Sequence, residues 1–512
     1  MNVSNISLSE YINLIGESRI DSIFQLPQYH ALREIVHTGE QRFEPLKIET
    51  GEKILLVPLI VSESTKGFPE YQAPFNSIFS SGGNIEPEDY HQIFQILQTR
   101  SPLKIKISSS LKNPDLSNLQ KQFHRVKISR QETYVLRLPG NYDDWFNSLD
   151  PQVRREIKKA EKLGIQIKKK QKDGLDNFIF LFYREFFDMP EMLNTWPEIF
   201  YRSLFDTMPT DSVYIYEACY EGKTVASSLV IMKGSECFYH SSSYDTQYRQ
   251  IYANHLIQSF IIRDLIAYGY ETYNMGGTNE MVSLAQFKAK FGATPVIYQT
   301  AVWKNRWNRL SKFLREKMSL KFKIKKHFFL EKNLVGDEES PKLSVPPGME
   351  WYCLQSTEEL DKLINEGYEL RGLDHRGKRF MKEELARTRL EQKQIVILVF
   401  RNKLLVHSRC VATPESVNFI KLMPPISLPP NTAFSWHVNT PPFFRKLGYN
   451  NLFTLLEHDI LKNKGFNKIY SAVLAGNIPA LKTHEKAGFS IKESFYLLGW
   501  KKRNYCLGVP KL

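Results

Sequence analysis

Twice along this chain a run of apolar residues at helical spacing ends at a glycine followed by an aromatic residue and passes straight into a strand. In the first run Leu256, Ile257, Phe260, Ile261, Leu265 and Ile266 recur between Asn254 and Tyr268, Gly269-Tyr270 ends the helix, and Glu271–Met275 reads as a strand. In the second, Leu452, Leu455, Leu456 and Ile460 share one face of Asn451–Lys464, Gly465-Phe466 ends it, and Lys468–Leu474 is the strand. A helix striped on one side must bury that stripe, and the strand that follows it supplies the sheet to bury it against. Two copies of such a unit in 512 residues argue for repeated α/β lobes, not one large core.

Composition marks the breaks between lobes. Beyond the apolar run near Tyr298 to Trp303 a basic, Phe-rich stretch reaches Leu330, and GDEESPKLSVPPG (Gly336 to Gly348) then reads as an exposed linker. A weaker break, LPGNYDDWFNSLDP, ends the strand-like TYVLRL and precedes a basic helix expected over Gln152–Leu163, stopped at Gly164. The expected organisation is therefore a first lobe over 1–145, a second over 146–335 that includes the basic stretch, a linker at 336–348 and a third lobe over 349–512.

The net charge of +14 is concentrated in two places. Pro151 to Lys172 carries +7 and Lys304 to Lys332 carries +9, which leaves the rest of the chain at −2. Such an excess attracts nucleic acid, anionic cofactors or anionic membrane surfaces. In the second segment Trp303, Trp307, Phe313, Phe322, Phe328 and Phe329 interleave with Lys and Arg, so it reads as a basic helix on an anionic inner leaflet, a nucleic-acid contact, or an interdomain helix with solvated lysines. The five cysteines show no C-x-x-C spacing, so reduced thiols are expected, with neither disulfides nor a metal site. No apolar run approaches the ~20 residues of a membrane span, and the first residues lack the basic and apolar regions of a secretory signal. The expected location is cytoplasmic, with peripheral contact at the inner membrane face.

From Asn431 the chain reads as a strand to Val438, a loop from Thr440 to Asn450 holding Arg445 and Gly448, the second of the two helices, strand Ile469–Val473, and a short helix led by Asn477 and ended at Gly488-Phe489. A glycine loop feeding a helix N-terminus aims free amides and the positive dipole end at one point, a site suited to a pyrophosphate. This order resembles the GNAT superfamily of N-acetyltransferases. The match lies in Arg445-Lys446-Leu447-Gly448-Tyr449-Asn450, similar to its R/Q-x-x-G-x-G/A loop, and in Asn477 to Phe489, similar to its N-x-x-A-x-x-x-Y-E-x-x-G-F segment. The resemblance implies acetyl-CoA or another acyl-CoA on that loop, an oxyanion met by a backbone amide near Val438, and the pantetheine arm on Asn477. Asn477 is equally a turn and helix cap. Two positions depart from the pattern. Asn450 replaces a Gly or Ala and its side chain would crowd the phosphates; His484 stands where the family places a Tyr that protonates the leaving thiolate. An imidazole can donate a proton near neutral pH, and a His beside Glu485 can also be a plain surface residue. For the general base, His437 and Glu457 are candidates.

Further upstream, Arg154 to Ala160 (R-R-x-I-K-K-A), the passage Tyr244 to Tyr268, Gly276-Gly277 and Phe287 to Gly292 (F-K-x-x-F-G) resemble Fem-type transferases and related GNAT-like acyltransferases of exopolysaccharide clusters. That resemblance implies tandem GNAT-like lobes, α/β (α+β) in class, each a mixed, mostly antiparallel sheet flanked by helices. It also implies Lys288 on phosphates or the reacting carbonyl, Arg154, Arg155 and Lys158 on an anionic substrate, and His240, Tyr244 and Asn254 in a pocket. Lys288 reads equally as a surface residue of the run Leu284–Phe291. The expected function is acyl-CoA-dependent transfer to a small-molecule or glycan acceptor of the cell envelope. Two alternatives stand beside it: transfer from aminoacyl-tRNA onto a peptidoglycan precursor, and a non-catalytic GNAT fold kept for binding.

Overall fold

The computed structural model describes the chain except residues 17–19, 38–39, 52, 64–67, 114, 189–195, 279, 306–322, 336–344, 371–380, 417–426, 501–502 and 508–512. It divides into two compact units, Met1–Glu185 with Phe200–Lys312 and Phe186–Ile199 with Phe313–Leu512.

In the first unit, β1 (Pro69–Ala73), α1 (Pro87–Thr99) and β2 (Lys104–Ser108) form a strand–helix–strand whose strands pair in parallel from Glu70↔Lys104 to Ala73↔Ile107. After β3 (Lys127–Arg137) comes the basic helix α2 (Pro151–Lys162). Its start is set by the Asp150 side chain accepting from the Gln152 amide and by Pro151 in the first turn. Gly164 follows it with φ +75°, as expected from the sequence. Val153, Ile157 and Ala160 are its buried face, so the lysines are left outside. The antiparallel hairpin β4 (Lys223–Lys233) and β5 (Glu236–Tyr244), α3 (Ala253–Ala267) and β6 (Thr272–Asn274) repeat the motif, with β5 and β6 parallel from Glu236↔Thr272 to Phe238↔Asn274. Then follow α4 (Val282–Lys290) and β7 (Thr294–Lys304). The apolar faces of α2 and α3 meet in one core with Trp145, Tyr273 and Phe291.

The second unit holds a third copy. It comprises β8 (Lys323–Asn333), β9 (Leu404–Ala412), β10 (Thr432–Asn439), α5 (Tyr449–Asn463), β11 (Lys468–Leu474), α6 (Ile478–Lys486) and β12 (Ser490–Trp500), with β10 and β11 parallel. The glycine–aromatic stops seen in the sequence are one device. The amides of Gly269 and Tyr270 return to the carbonyls of Ile266 and Leu265, and those of Gly465 and Phe466 to Lys462 and Leu461, the paired bonds of a left-handed helix cap.

Two expected boundaries are displaced. The strand β3, from the expected first lobe, pairs with β6 of the second, and β7 of the second pairs with β2 of the first. Since β3 and β7 also pair with each other, both lobes share one sheet of eleven strands among the described residues. Lys323–Asn333, expected in the second lobe as part of a basic helix, is instead strand β8 between β11 and β12 of the C-terminal sheet. Phe329 is its buried anchor, stacked on Tyr470 at 5.4 Å and Phe434 at 6.0 Å. The remainder of the basic segment, including Trp307 and Phe313, and most of the expected linker lie outside the described residues. Among the described residues no helix is long and apolar enough to cross a membrane.

Replacing Phe329 with Ala is expected to cost the C-terminal sheet about 3–5 kcal/mol. Hydrogen exchange at the β11 amides checks it: unchanged protection there would show that β8 does not anchor this sheet.

Candidate functional site

In the second unit the parallel strands part. β10 and β11 are in register only from Thr432↔Lys468 to Ser435↔Ser471, although they run on to Asn439 and Leu474. Past that last rung β11 stays with β8 as far as His327↔Leu474, while β10 stays with β9 through a bulge. There Arg409 alone stands opposite His437 and Val438, and His437 takes a φ of +52°. A bulge turns main-chain groups out of the ladder, so a slot opens between the strands with the amide region of Val438 on its β10 side.

The loop after β10 ends at the N-terminus of α5. Arg445 Nε donates to the Thr440 carbonyl at 3.0 Å, and left-handed φ values at Lys446 (+67°) and Gly448 (+78°) turn the chain into the helix. Gly448 is the helix cap, and a Cβ placed there would meet nothing within 4 Å, so the approach to the first amides of α5 is open. Those amides lack partners within the helix and carry its positive end. Leu447 and Tyr449 are half-buried, with Tyr449 tilted against Phe453 at 5.9 Å.

Asn450 does not crowd this approach. Its Oδ1 and its carbonyl accept from Arg409 Nη2 at 3.0 and 3.1 Å, which draws the side chain toward the sheet. Arg409 is 1% exposed; the same Nη2 also donates to Thr454, while Nη1 donates to Glu457 and Nε to His407. Because Arg409 Nε donates to His407 Nε2, that ring is neutral and Nδ1 donates to Thr440 Oγ1 at 2.8 Å; burial holds its pKa well below the usual value. Glu457 also accepts from Ser435 at 2.6 Å. A carboxylate held by a buried guanidinium and a hydroxyl is not placed to take a proton from an acceptor, so the geometry argues against Glu457 as a general base. His484 lies over the last rung: its Nδ1 bonds the Ala480 carbonyl at 2.8 Å and its Nε2 bonds Ser471 Oγ at 3.0 Å. With Nδ1–H committed to a carbonyl, Nε2 of the neutral ring is the acceptor, and burial lowers the pKa of His484. Asn477 is exposed and caps α6, its Oδ1 accepting from the Ala480 amide at 3.4 Å.

The first unit repeats part of this geometry, with β6 ending at its last rung. β5 outlasts its parallel pairing with β6, and its bulge against β4 leaves His240 as the extra residue. Arg249, Tyr252 and Asn254 occupy the places that Arg445, Gly448 and Asn450 hold before α5. Tyr252 is the left-handed cap of α3 at φ +58°, ψ +32°. It carries a side chain where Gly448 has none, with Lys159 Nζ 5.0 Å from its ring centroid. Asn254 is half-buried and its Oδ1 has no hydrogen-bond partner among the described residues. His240 sits among Phe200, Tyr201, Phe238 and Tyr29, and burial lowers its pKa to about 4, so it is neutral at physiological pH. Tyr244 instead packs on the α2–α3 core, so of the three expected pocket residues His240 and Tyr244 are not brought together.

Lys288 is neither a surface residue nor aimed at solvent. It is 2% exposed, and its ammonium donates to the carbonyls of Gly276 and Gly277 at 2.9 and 2.7 Å. It ties the Gly-Gly loop to α4. Arg155 and Lys158 are exposed and Arg154 half-buried on α2. Sequence reasoning missed Arg409, His407, Ser435 and Ser471. The signal for the first two was His-Ser-Arg inside the otherwise apolar LLVHSRCVA.

Burial lowers the Lys288 pKa from 10.5 to about 8. Between those values the unfolded chain holds more protons than the folded one, so this residue's contribution to stability rises with pH across that window. Lys288→Met is expected to abolish that rise, as read by denaturant unfolding at pH 7.5, 9 and 10.5. Parallel pH curves for the two chains would contradict the lowered pKa of Lys288.

Residues 148–289 match the profile of the acetyltransferase (GNAT) domain family. No curated protein matches the chain. Among solved structures it is similar to FemX (13% identity, TM-score 0.48, covering 61% of this chain and 100% of that one). It is also similar to L-PGS from Bacillus licheniformis (12% identity, TM-score 0.36, 61% and 95%). A third is a tandem GNAT protein from the clavulanic acid biosynthesis pathway (12% identity, TM-score 0.24, 65% and 97%). The family match thus falls on part of the first unit, and the motifs Arg445–Asn450 and Asn477–Phe489 lie outside the matched stretch.

Proposed function

We propose that this GNAT-fold acyltransferase takes its acyl group from acetyl-CoA or another acyl-CoA in the second unit and passes it to an amine on an anionic cell-envelope saccharide or precursor. The observation that carries this reading is the slot between β10 and β11, with a bulge amide on one side and the glycine-capped N-terminus of α5 at its head. A parted strand offers an extended pantetheine arm the bonds of a missing neighbour, and the α5 amides with Arg445 and Lys446 suit a pyrophosphate. When bound, the donor supplies a thioester carbonyl.

The chain's own groups then have defined tasks. An amide near Val438 meets the charge that develops on the carbonyl oxygen. The amine forms the new C–N bond, the C–S bond breaks, and one proton passes from nitrogen to sulfur. Ser471 and His484, hydrogen-bonded to each other at the last rung, are the groups assigned to that proton in this reading. In the first unit, exposed Arg155 and Lys158, with Arg154, give α2 a basic face suited to an anionic ligand. The concentrated basic charge likewise suits work at the inner membrane face.

A second reading rests on Tyr252. The family profile covers part of the first unit, residues 148–289, yet the cap of α3 there is a tyrosine where Gly448 caps α5 in the second. That suits a donor lacking a pyrophosphate at this point, such as the aminoacyl end of a charged tRNA.

Acetyl-CoA is expected to raise the thermal unfolding temperature of the C-terminal unit, by the equivalent of about 2.7 kcal/mol at a hundredfold excess over Kd. Arg445→Ala with Lys446→Ala is expected to weaken binding roughly tenfold, about 1.4 kcal/mol. Absence of any shift, together with transfer from labelled aminoacyl-tRNA, would replace the first reading with the second.

A further inference from the structure

The loop before α5 ends in Asn450, where the pattern it resembles has Gly or Ala, and a longer side chain at that point of a helix N-terminus would stand over the amides an anion needs. In the structure it does not stand there, because one buried guanidinium holds it elsewhere. Resting on the reading of the β10–β11 slot as an acyl-CoA site, we infer that Arg409 is the positioning residue of that site, making Asn450 act toward the donor as though it had no side chain.

The geometry is specific. Nη2 of Arg409 reaches both the carbonyl and Oδ1 of Asn450, at 3.1 and 3.0 Å, and Thr454 Oγ1 donates to the same carbonyl at 2.7 Å. Side chain and main chain of Asn450 are thus drawn toward one point. Nη1 is 2.5 Å from Glu457, which balances the charge where neither group is more than 1% exposed. Nε donates to His407, His407 donates to Thr440, and the Thr440 carbonyl receives Arg445 Nε, so the fork braces both ends of the anion loop. Arg409 also stands opposite the bulge residues His437 and Val438. One residue therefore sets the loop, and its strand sets the bulge amide. Only a planar fork serves all these acceptors; a lysine in its place keeps the charge beside Glu457 but has a single point of attachment.

The contrast between fork and charge supplies the test. In the full-length protein, acetyl-CoA affinity is measured by titration calorimetry for the wild type, Arg409→Lys, Asn450→Gly and the double variant. Arg409→Lys keeps Glu457 compensated, which guards against unfolding, and circular dichroism checks that it folds. The expected result is roughly tenfold weaker binding for Arg409→Lys, wild-type affinity for Asn450→Gly, and recovery to within about threefold of wild type in the double variant. Recovery by removing the Asn450 side chain is something a merely structural loss would not show. Arg409→Lys binding as the wild type does, or a double variant as weak as Arg409→Lys, overturns the inference and leaves the donor site standing. No acetyl-CoA binding by the wild type or by Asn450→Gly overturns the donor site and the inference with it.

Discussion

A parallel pair of strands that stops pairing before either strand ends is the constraint on which the rest of this protein depends. Parallel strands need a crossover between them, here α5, which brings its N-terminus to the end where the strands separate. Separation exposes main-chain groups that a closed sheet would consume, and it is tolerated because each strand keeps its other neighbour, β9 for β10 and β8 for β11. Slot and anion site therefore come together from one topological choice. In the first unit β5 likewise runs on past its last rung with β6, but β6 itself ends there. The pair β1 and β2, joined along nearly the whole of β1, does not open.

The pairs β10–β11 and β5–β6 also differ in what stands at the head of each. Gly448 leaves the amides of α5 accessible, while Tyr252 places a ring beside Lys159. Behind Gly448, Arg409 is an expensive feature: a charge buried in a sheet lowers stability unless it is fully compensated. Here Glu457, Asn450, Thr454 and His407 share that task. Lys288 shows the opposite economy, a buried ammonium satisfied by two carbonyls, and burial shifts its pKa accordingly.

The repeated helix, glycine and strand were legible because their determinants are local. Apolar spacing along Asn254–Tyr268 and Asn451–Lys464 and the glycine caps at Gly269 and Gly465 require no distant partner. The same holds for α2, whose cap at Asp150 and stop at Gly164 lie in neighbouring residues. Lys323–Asn333 was misread because a Lys- and Phe-rich stretch is compatible with a basic helix, and the strands that offer it a ladder, β11 and β12, come more than a hundred residues later. The site divides the same way. The loop Arg445–Asn450 was visible as a motif, whereas Arg409, Ser435 and Ser471 are ordinary residues in apolar strands until the fold sets them beside Asn450, Glu457 and His484.

The sequence by itself determined the helices, their caps, the GNAT-like motifs and the concentration of positive charge in two segments, since each depends on residues within a turn or a strand of one another. Tertiary structure alone decided which strands share a sheet, that β3 and β7 join two lobes into one, that Lys288 is buried, and that Asn450 is turned away from the helix end. These outcomes depend on long-range pairing and on the desolvation of charge, and both are properties of which surfaces meet.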